Sequence, residues 1–464
     1  MSKKNLLLLI IIVSGFLLPL SYFNTAKSTP PLYINDEIDN RVSFVCAPES
    51  SAAKVTSLWN YTGTTAIDQV VISKDGSHIA AINSTHAILF NKSSNVPLWN
   101  YTLPFSENPP TSIDISYNGT YIAVQGLSRT FLLNNSQDSP KTYMWYLEPP
   151  ALPSRAVAIS ETGTYIVAAH QQTIYFINNS FSTESAWNIL PEWDYFFPGP
   201  AFPDPYAVAI SYNGDYIVAG CDDGFVYFFN KTKTNPKTYE WRFNTTAQIG
   251  QVDSNLIDIG YDYINDLYYI VVANNEKEVY LLDSTIENPK TAVWNATLDN
   301  IARTIDISSD GTNIVASTGN YIYYFDNSPS PTLKEELWKR YYGSVELSTA
   351  ISADGKYVVA GIGGPTTMYL INHKNETLWS TPQPVSSVGI SGLGDYIVGG
   401  RSNKIYLYYH DIPKPIILGG GGGDNDDEEE EEAAIPFGNY YLVFACVTLI
   451  SLIVLMKRKV IFKV

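Results

Sequence analysis

The chain has 464 residues, with 46 aspartates and glutamates against 29 lysines and arginines, a formal net charge of −17. It carries no basic stripe, which excludes nucleic acid as a partner. With 16% charged residues and 34 tyrosines the composition suits a sheet-rich protein with aromatic faces, and the three cysteines (Cys46, Cys221, Cys446) say little about redox environment.

In chain order, residues 1–21 open with Lys3 and Lys4 and continue as an apolar run, which reads as a secretory signal or an uncleaved N-terminal anchor. Residues 22–55 resemble no later segment and are expected to be a linker. From residue 56 to 410 one pattern repeats. Trp59, Trp99, Trp145, Trp187, Trp241, Trp294, Trp338 and Trp379 follow one another at 40, 46, 42, 54, 53, 44 and 41 residues. Between them one phrase returns, as VVISKDGSHIAAI, SIDISYNGTYIAV, AVAISETGTYIVAA, AVAISYNGDYIVAG, TIDISSDGTNIVAS, TAISADGKYVVAG and SVGISGLGDYIVGG, with a degenerate copy, IDIGYDYINDLYYIVVA, before Trp294. A period of 40 to 50 residues that divides into short strands predicts a β-propeller.

Each repeat reads as four strands, a to d. Strands a and b flank an Asn-Gly or Asp-Gly turn, a strong hairpin signal because that turn needs positive φ. Strand c is aromatic, and strand d carries the tryptophan. The turn acids Asp75, Asp310 and Asp354 read as turn formers rather than metal ligands, since no spaced cluster of oxygen donors accompanies them. The repeats begin on a d strand, residues 56–62, and end on a c strand, residues 404–410. Eight tryptophan strands and eight hairpins therefore make an all-β, single eight-bladed propeller if the first d strand completes the last blade. Seven blades with one repeat outside the ring is the competing count.

The segments LFNKSSNVPLW and YLINHKNETLW resemble the tryptophan-docking repeats of pyrroloquinoline-quinone-like propellers, and VAIS-x-x-G-x-YIVAG resembles WD40 repeats, particularly those of archaeal surface proteins. The resemblance implies a ring in which each tryptophan wedges between blades. It extends only weakly to quinone-dependent dehydrogenases, which carry adjacent cysteines under the cofactor; this chain has no adjacent pair.

After the repeats, residues 411–436 hold Pro413, Pro415, five glycines and eight acidic residues (Asp424, Asp426, Asp427 and Glu428 to Glu432), the composition of a flexible, self-repelling tether. Residues 437–456 contain no charge and are long enough for a transmembrane helix. Lys457, Arg458 and Lys459 follow, so residues 457–464 are expected in the cytoplasm and the propeller outside the cell.

Eleven N-x-S/T sequons occur, at Asn60, Asn83, Asn91, Asn100, Asn118, Asn134, Asn178, Asn230, Asn244, Asn295 and Asn375. Most fall in a–b or c–d turns, or on outer strands, and only Asn83 falls on the face made by b–c and d–a loops. Either the sequons mark a glycosylated side, or asparagine simply recurs because it forms turns. On the barer face the run Trp193, Asp194, Tyr195, Phe196 and Phe197 reads as an aromatic d–a loop, with His170, Asp222, Asp223 and Arg401 on the same side. These nine residues are the candidate binding site at the channel mouth. A loop folded over its own blade is the alternative reading.

The five histidines form no ligand-spaced cluster, and no catalytic motif stands out, so no catalytic residue, metal site or cofactor is assigned. The expected function is a membrane-anchored binding, adhesion or scaffold module for a protein or glycan at the cell surface. A quinoprotein-like dehydrogenase or other propeller enzyme with its site in the central channel is the alternative.

Overall fold

The computed structural model describes residues 54–412 apart from 108, 150–152, 182–187, 199–202, 235, 250–255, 331–332, 344–346 and 364–366. The described residues form eight four-stranded antiparallel sheets. We number these blades 1 to 8 from the first strand a, Ile67–Ile72.

Blade 4 shows how the repeated phrase folds. Its strands are Pro205–Ile210 (a), Tyr216–Cys221 (b), Phe225–Asn230 (c) and Trp241–Asn244 (d), hydrogen-bonded in that order. Strands b and c lie between neighbouring blades, so almost every residue is buried and the sequence is a run of β-branched and aromatic side chains. Strand d is the outer edge and alternates buried with exposed. At the a–b turn, buried Ser211 accepts the N–H of Tyr216 at 3.0 Å and donates to Asn213 at 2.9 Å. Gly214 sits at φ 75°, and a Cβ there would lie 2.3 Å from the ring of Tyr165 in blade 3. Ser-x-x-Gly-x-Tyr thus encodes a turn lock, a left-handed residue, and a tyrosine that covers the next blade's glycine.

The ring closes as the strand count requires. Blade 8 consists of Ser387–Ile390, Tyr396–Arg401 and Lys404–Asp411, with Lys54–Thr62 as its outer strand. That outer strand pairs from Lys54↔Asp411 to Thr62↔Lys404. Eight blades is therefore the correct count, and the closing strand begins two residues earlier than expected.

One tryptophan is corrected. Strand d of blade 3 is Trp193–Phe196, paired with strand c, Thr173–Asn178, through Phe176↔Trp193 and Thr173↔Phe196. Trp187 lies outside the described residues, and Trp193 takes the repeat position. The expected signal, linker, tether, transmembrane segment and tail also lie outside the described residues, apart from the few that the closing strands absorb. Among the described residues no helix is long and apolar enough to cross a membrane.

Blades are joined at the periphery by the tryptophans. The indole N–H of Trp59, Trp99, Trp193 and Trp338 donates to a carbonyl of the next blade, respectively Lys92, Asn134, Lys231 and His373, at 2.8 to 3.1 Å. Trp145 instead reaches Asn179 Oδ1 at 3.0 Å. A lysine from the next blade's c–d turn covers four of the indoles: Lys141 over Trp99, Lys237 over Trp193, Lys290 over Trp241 and Lys334 over Trp294, at 4.6 to 6.0 Å. Burial draws the Lys237 ammonium down to about 8. Each cluster of buried apolar residues spans a blade boundary, as where Trp193, Phe176 and Phe197 meet Tyr227 and Phe229 of blade 4.

Candidate functional site

In this topology the a–b and c–d turns share one face of the ring, and the b–c and d–a connections share the other. The residues expected at the mouth of the second face do not converge there.

Trp193, Asp194, Tyr195 and Phe196 form an edge strand rather than a loop. Trp193 is buried and stacks on Phe176 at 5.0 Å. Tyr195 meets Phe229 at 4.9 Å and Phe197 at 5.0 Å, and burial pushes its hydroxyl up to about 12. Phe197, just past the strand, is fully buried against Tyr227, and its N–H donates to Gln172 O. Only Asp194 and Phe196 face outward, Phe196 with 52% of its surface exposed. They flank a groove of about 470 Å³ on the outer edge of the ring, walled on the blade 4 side by Lys233, Thr234, Pro236 and Lys237.

His170 ends strand b of blade 3, Tyr165–His170, and is wholly buried. Its Nε2 lies 3.0 Å from Thr130 Oγ1, and burial draws its pKa down to about 3. In the b–c turn of blade 4, Asp222 Oδ1 accepts the N–H of Asp204 at 2.9 Å, while Asp204 pairs with Arg155 at 2.7 Å. Asp223 accepts the N–H of Phe225 at 3.0 Å and the hydroxyl of Tyr227 at 3.2 Å. Arg401, ending strand b of blade 8, donates to Gly363 O. The structure joins Asp222 to Arg155 and Asp204, two residues that sequence reading missed. It leaves His170 and Arg401 in separate networks of blades 3 and 8.

The sequons have a structural account. Asn91, Asn134, Asn178 and Asn230 end strand c, and each side-chain oxygen accepts the N–H of the Ser or Thr two residues on. Blades 5 and 6 have Asp283 and Asp326 in the same role, toward Thr285 and Ser328. Asn118 does the same in an a–b turn toward Thr120, as Asp75 does toward Ser77 and Asp310 toward Thr312. The turn therefore asks for Asx, and a sequon arises where that Asx is asparagine and the residue two on is Ser or Thr; Asn213 and Asn372 take the same role toward Asp215 and Lys374 without forming one. Asn375, in the c–d turn of blade 7, adopts φ 68°, a conformation asparagine tolerates. Asn83 is buried and caps its own turn, accepting from Thr85 N and His86 N. Asn60, Asn100, Asn244 and Asn295 lie on outer strands.

The axis of the ring is a cavity of about 630 Å³ lined by the a strands. Two residues before the turn-serine position of strand a most blades place a small or apolar residue, Val71, Ala158, Ala209, Ala350 or Gly389. Blades 2, 5 and 6 place Asp114, Asp258 and Asp306 there. Each carboxylate accepts an N–H from strand a of the following blade: Ile159 at 2.9 Å, Ile307 at 3.0 Å and Ile351 at 3.0 Å. Burial pushes Asp114 up to about 6. It raises Asp306 well above the usual carboxylate range, with help from the charge and hydrogen bond of Asp258. Lys74 enters the same space, and its Nζ donates to Ser309 Oγ at 3.2 Å across the channel. Burial alone would lower Lys74, but Glu161, Asp306, Asp258 and Asp114 outweigh it and hold the ammonium above its ordinary value.

Residues 195–230 match the model described as WD domain, G-beta repeat. The fold is a WD40-type β-propeller. The matched stretch of this WD40-type propeller starts inside strand d of blade 3 and ends with strand c of blade 4, so the repeat straddles two blades. That offset is the one by which Lys54–Thr62 closes the ring. No match to a curated protein was found.

Proposed function

We propose that this propeller is a membrane-anchored, extracellular binding module for a protein partner, engaged at the outer edge of blade 3. The observation that carries the reading is the groove beside Phe196, where a half-exposed aromatic and the carboxylate of Asp194 stand opposite the exposed Lys233. An exposed aromatic ringed by both signs of charge suits a protein surface, and a strand edge offers unpaired backbone groups beside it. Support for anchoring comes from the apolar residues 437–456 and the basic residues after them. Lys54 and Asp411 are paired neighbours, so both ends of the chain leave the ring on the a–b/c–d face. The blade edge lies away from that point of exit and is open to a partner.

The test is a cell-surface binding array probed with the full chain and with Phe196→Ser. Removing an interface aromatic costs about 2 kcal/mol or more, roughly thirtyfold in affinity. The variant is expected to lose its array signals while melting at the wild-type temperature. Wild-type signals retained by Phe196→Ser sink the assignment of the edge.

A further inference from the structure

The a–b mouth of the channel is built from one residue per blade at the position after the turn serine: Lys74, Tyr117, Glu161, Tyr212, Tyr261, Ser309, Ala353 and Gly392. Backbone hydrogen bonds tie most of this rim together. Tyr261 N donates to Ser309 O, Asp310 N to Ala353 O, Ala353 N to Gly392 O, Gly392 N to Lys74 O, Asp75 N to Tyr117 O, and Tyr117 N to Glu161 O. Among the described residues that chain of bonds runs from blade 5 through blades 6, 7, 8, 1 and 2 to blade 3, and does not join blade 4 to its neighbours.

Tyrosines occupy the break. Tyr212 of blade 4 lies 5.6 Å from Tyr261 and 6.5 Å from Tyr268 of blade 5, ring centre to ring centre, and all three line the channel. Tyr263 extends the cluster to solvent at 4.6 Å from Tyr261, with 64% of its surface exposed. The charge of Glu161 acts on Tyr117, Tyr212 and Tyr263 as well as on Lys74. Below them stand Asp114, Asp258 and Asp306. Glu161, Asp114 and Asp258 thus act on the ammonium of Lys74, which the chain itself already holds there, while Asp306 keeps its proton and Asp68 and Arg303 also line the channel.

We propose that the blade 4–5 side of this mouth binds an alkylammonium group, with Tyr212 and Tyr261 supplying ring faces and Glu161, Asp114 and Asp258 supplying counter-charge. Aromatic faces beside carboxylates attract cations through ring quadrupole and Coulomb terms together, and both strengthen where water is partly excluded. Lys74 is the internal precedent for the ligand. A second ammonium neutralises charge that Lys74 leaves uncompensated. The source is either a free diamine or a lysine side chain of another protein, since both present the same group.

The test measures binding of 1,5-diaminopentane to the full chain by calorimetry, with 1,5-pentanediol as the uncharged control. Wild type is expected to bind the diamine saturably below about 10 mM and to ignore the diol. Glu161→Gln and, separately, Tyr212→Leu with Tyr261→Leu should each weaken binding about tenfold, and Lys74→Met should tighten it by vacating the resident ammonium. Glu161 makes no structural side-chain hydrogen bond in the rim, so its variant is expected to melt with wild type and keeps the test decisive if a tyrosine variant fails to fold. A blocked lysine tripeptide binding as well as the diamine assigns the source to a protein; binding of the diamine alone assigns it to a small amine. No saturable binding by wild type, or unchanged affinity in Glu161→Gln, overturns the proposal.

Discussion

In blade 4 the a–b turn is locked by Ser211 and carries Gly214 under a neighbouring tyrosine; in blade 5 the serine position is Gly260 and the turn is Tyr263, Ile264, Asn265 and Asp266. The hairpin of blade 5 runs three pairs further, to Asp262↔Leu267, and Asp262 holds its turn by accepting from Ile264 N at 2.8 Å and Asn265 N at 3.1 Å. A Cβ on Gly260 would lie 2.5 Å from Ser308 O of blade 6. Blade 4 therefore meets its neighbours through side chains of the repeated phrase, and blade 5 meets blade 6 backbone to backbone. At that one position the repeat's serine gives way to glycine, because the main chain of blade 6 leaves no room for a side chain.

The largest expected effect tests the junction on the blade 4 side. Trp193 is buried between blades, stacked on Phe176 and hydrogen-bonded to Lys231 O. Trp193→Ala should cost about 3–5 kcal/mol by cavity formation alone, read as a drop in urea midpoint. A near-neutral result would mean that Trp193 is a surface residue and that the d strand of blade 3 lies elsewhere. The expected loss of stability is the reverse of what an aromatic recognition loop would give.

The misplacement of that strand shows what was legible. With Trp187 the spacings around it are 42 and 54 residues; with Trp193 they become 48 and 48, since 193 − 145 and 241 − 193 are equal. Regularity alone favoured Trp193, but Pro191 and Pro198 around it read as loop chemistry. Ring closure was legible because counting strands needs only the order d first and c last. The Asx-hydroxyl turns were legible as letters, yet asparagine and aspartate had to be seen in one role before sequons read as turns. The channel acids were not legible as a group. Asp114, Asp258 and Asp306 are 144 and 48 residues apart (258 − 114 and 306 − 258), and only the ring brings them to one axis.

A smaller effect compares the two turn positions directly. Ser211→Ala removes the acceptor for Tyr216 N in a buried turn and should cost about 1–3 kcal/mol. Writing the repeat's serine into blade 5, as Gly260→Ser, should also destabilise, by about 1–3 kcal/mol, because the added Cβ meets the backbone of blade 6. A restored consensus residue usually stabilises, so a gain in melting temperature for Gly260→Ser would show that the close approach of blades 5 and 6 is absent.

The smallest effect lies in the channel, where blade 4 places Ala209 and blade 5 places Asp258. Burial and the neighbouring Asp258 raise Asp306 well above its usual range, so the folded state keeps a proton that the unfolded chain releases near pH 4. A raised carboxylate stabilises the fold only while protonated: stability from this group is full below the unfolded pKa and is lost as pH rises toward the folded one. Asp258→Asn removes the like charge while keeping an oxygen to accept from Ile307 N, so Asp306 should return part of the way down, burial still acting on it. Urea midpoints measured from pH 4 to pH 8 should then fall less steeply with pH in the variant, and its stability relative to wild type should improve toward pH 8. The change over that range is expected to be on the order of 1 kcal/mol. A difference between the two proteins that stays constant with pH would mean that the charge of Asp258 does not act on Asp306 across the boundary between blades 5 and 6.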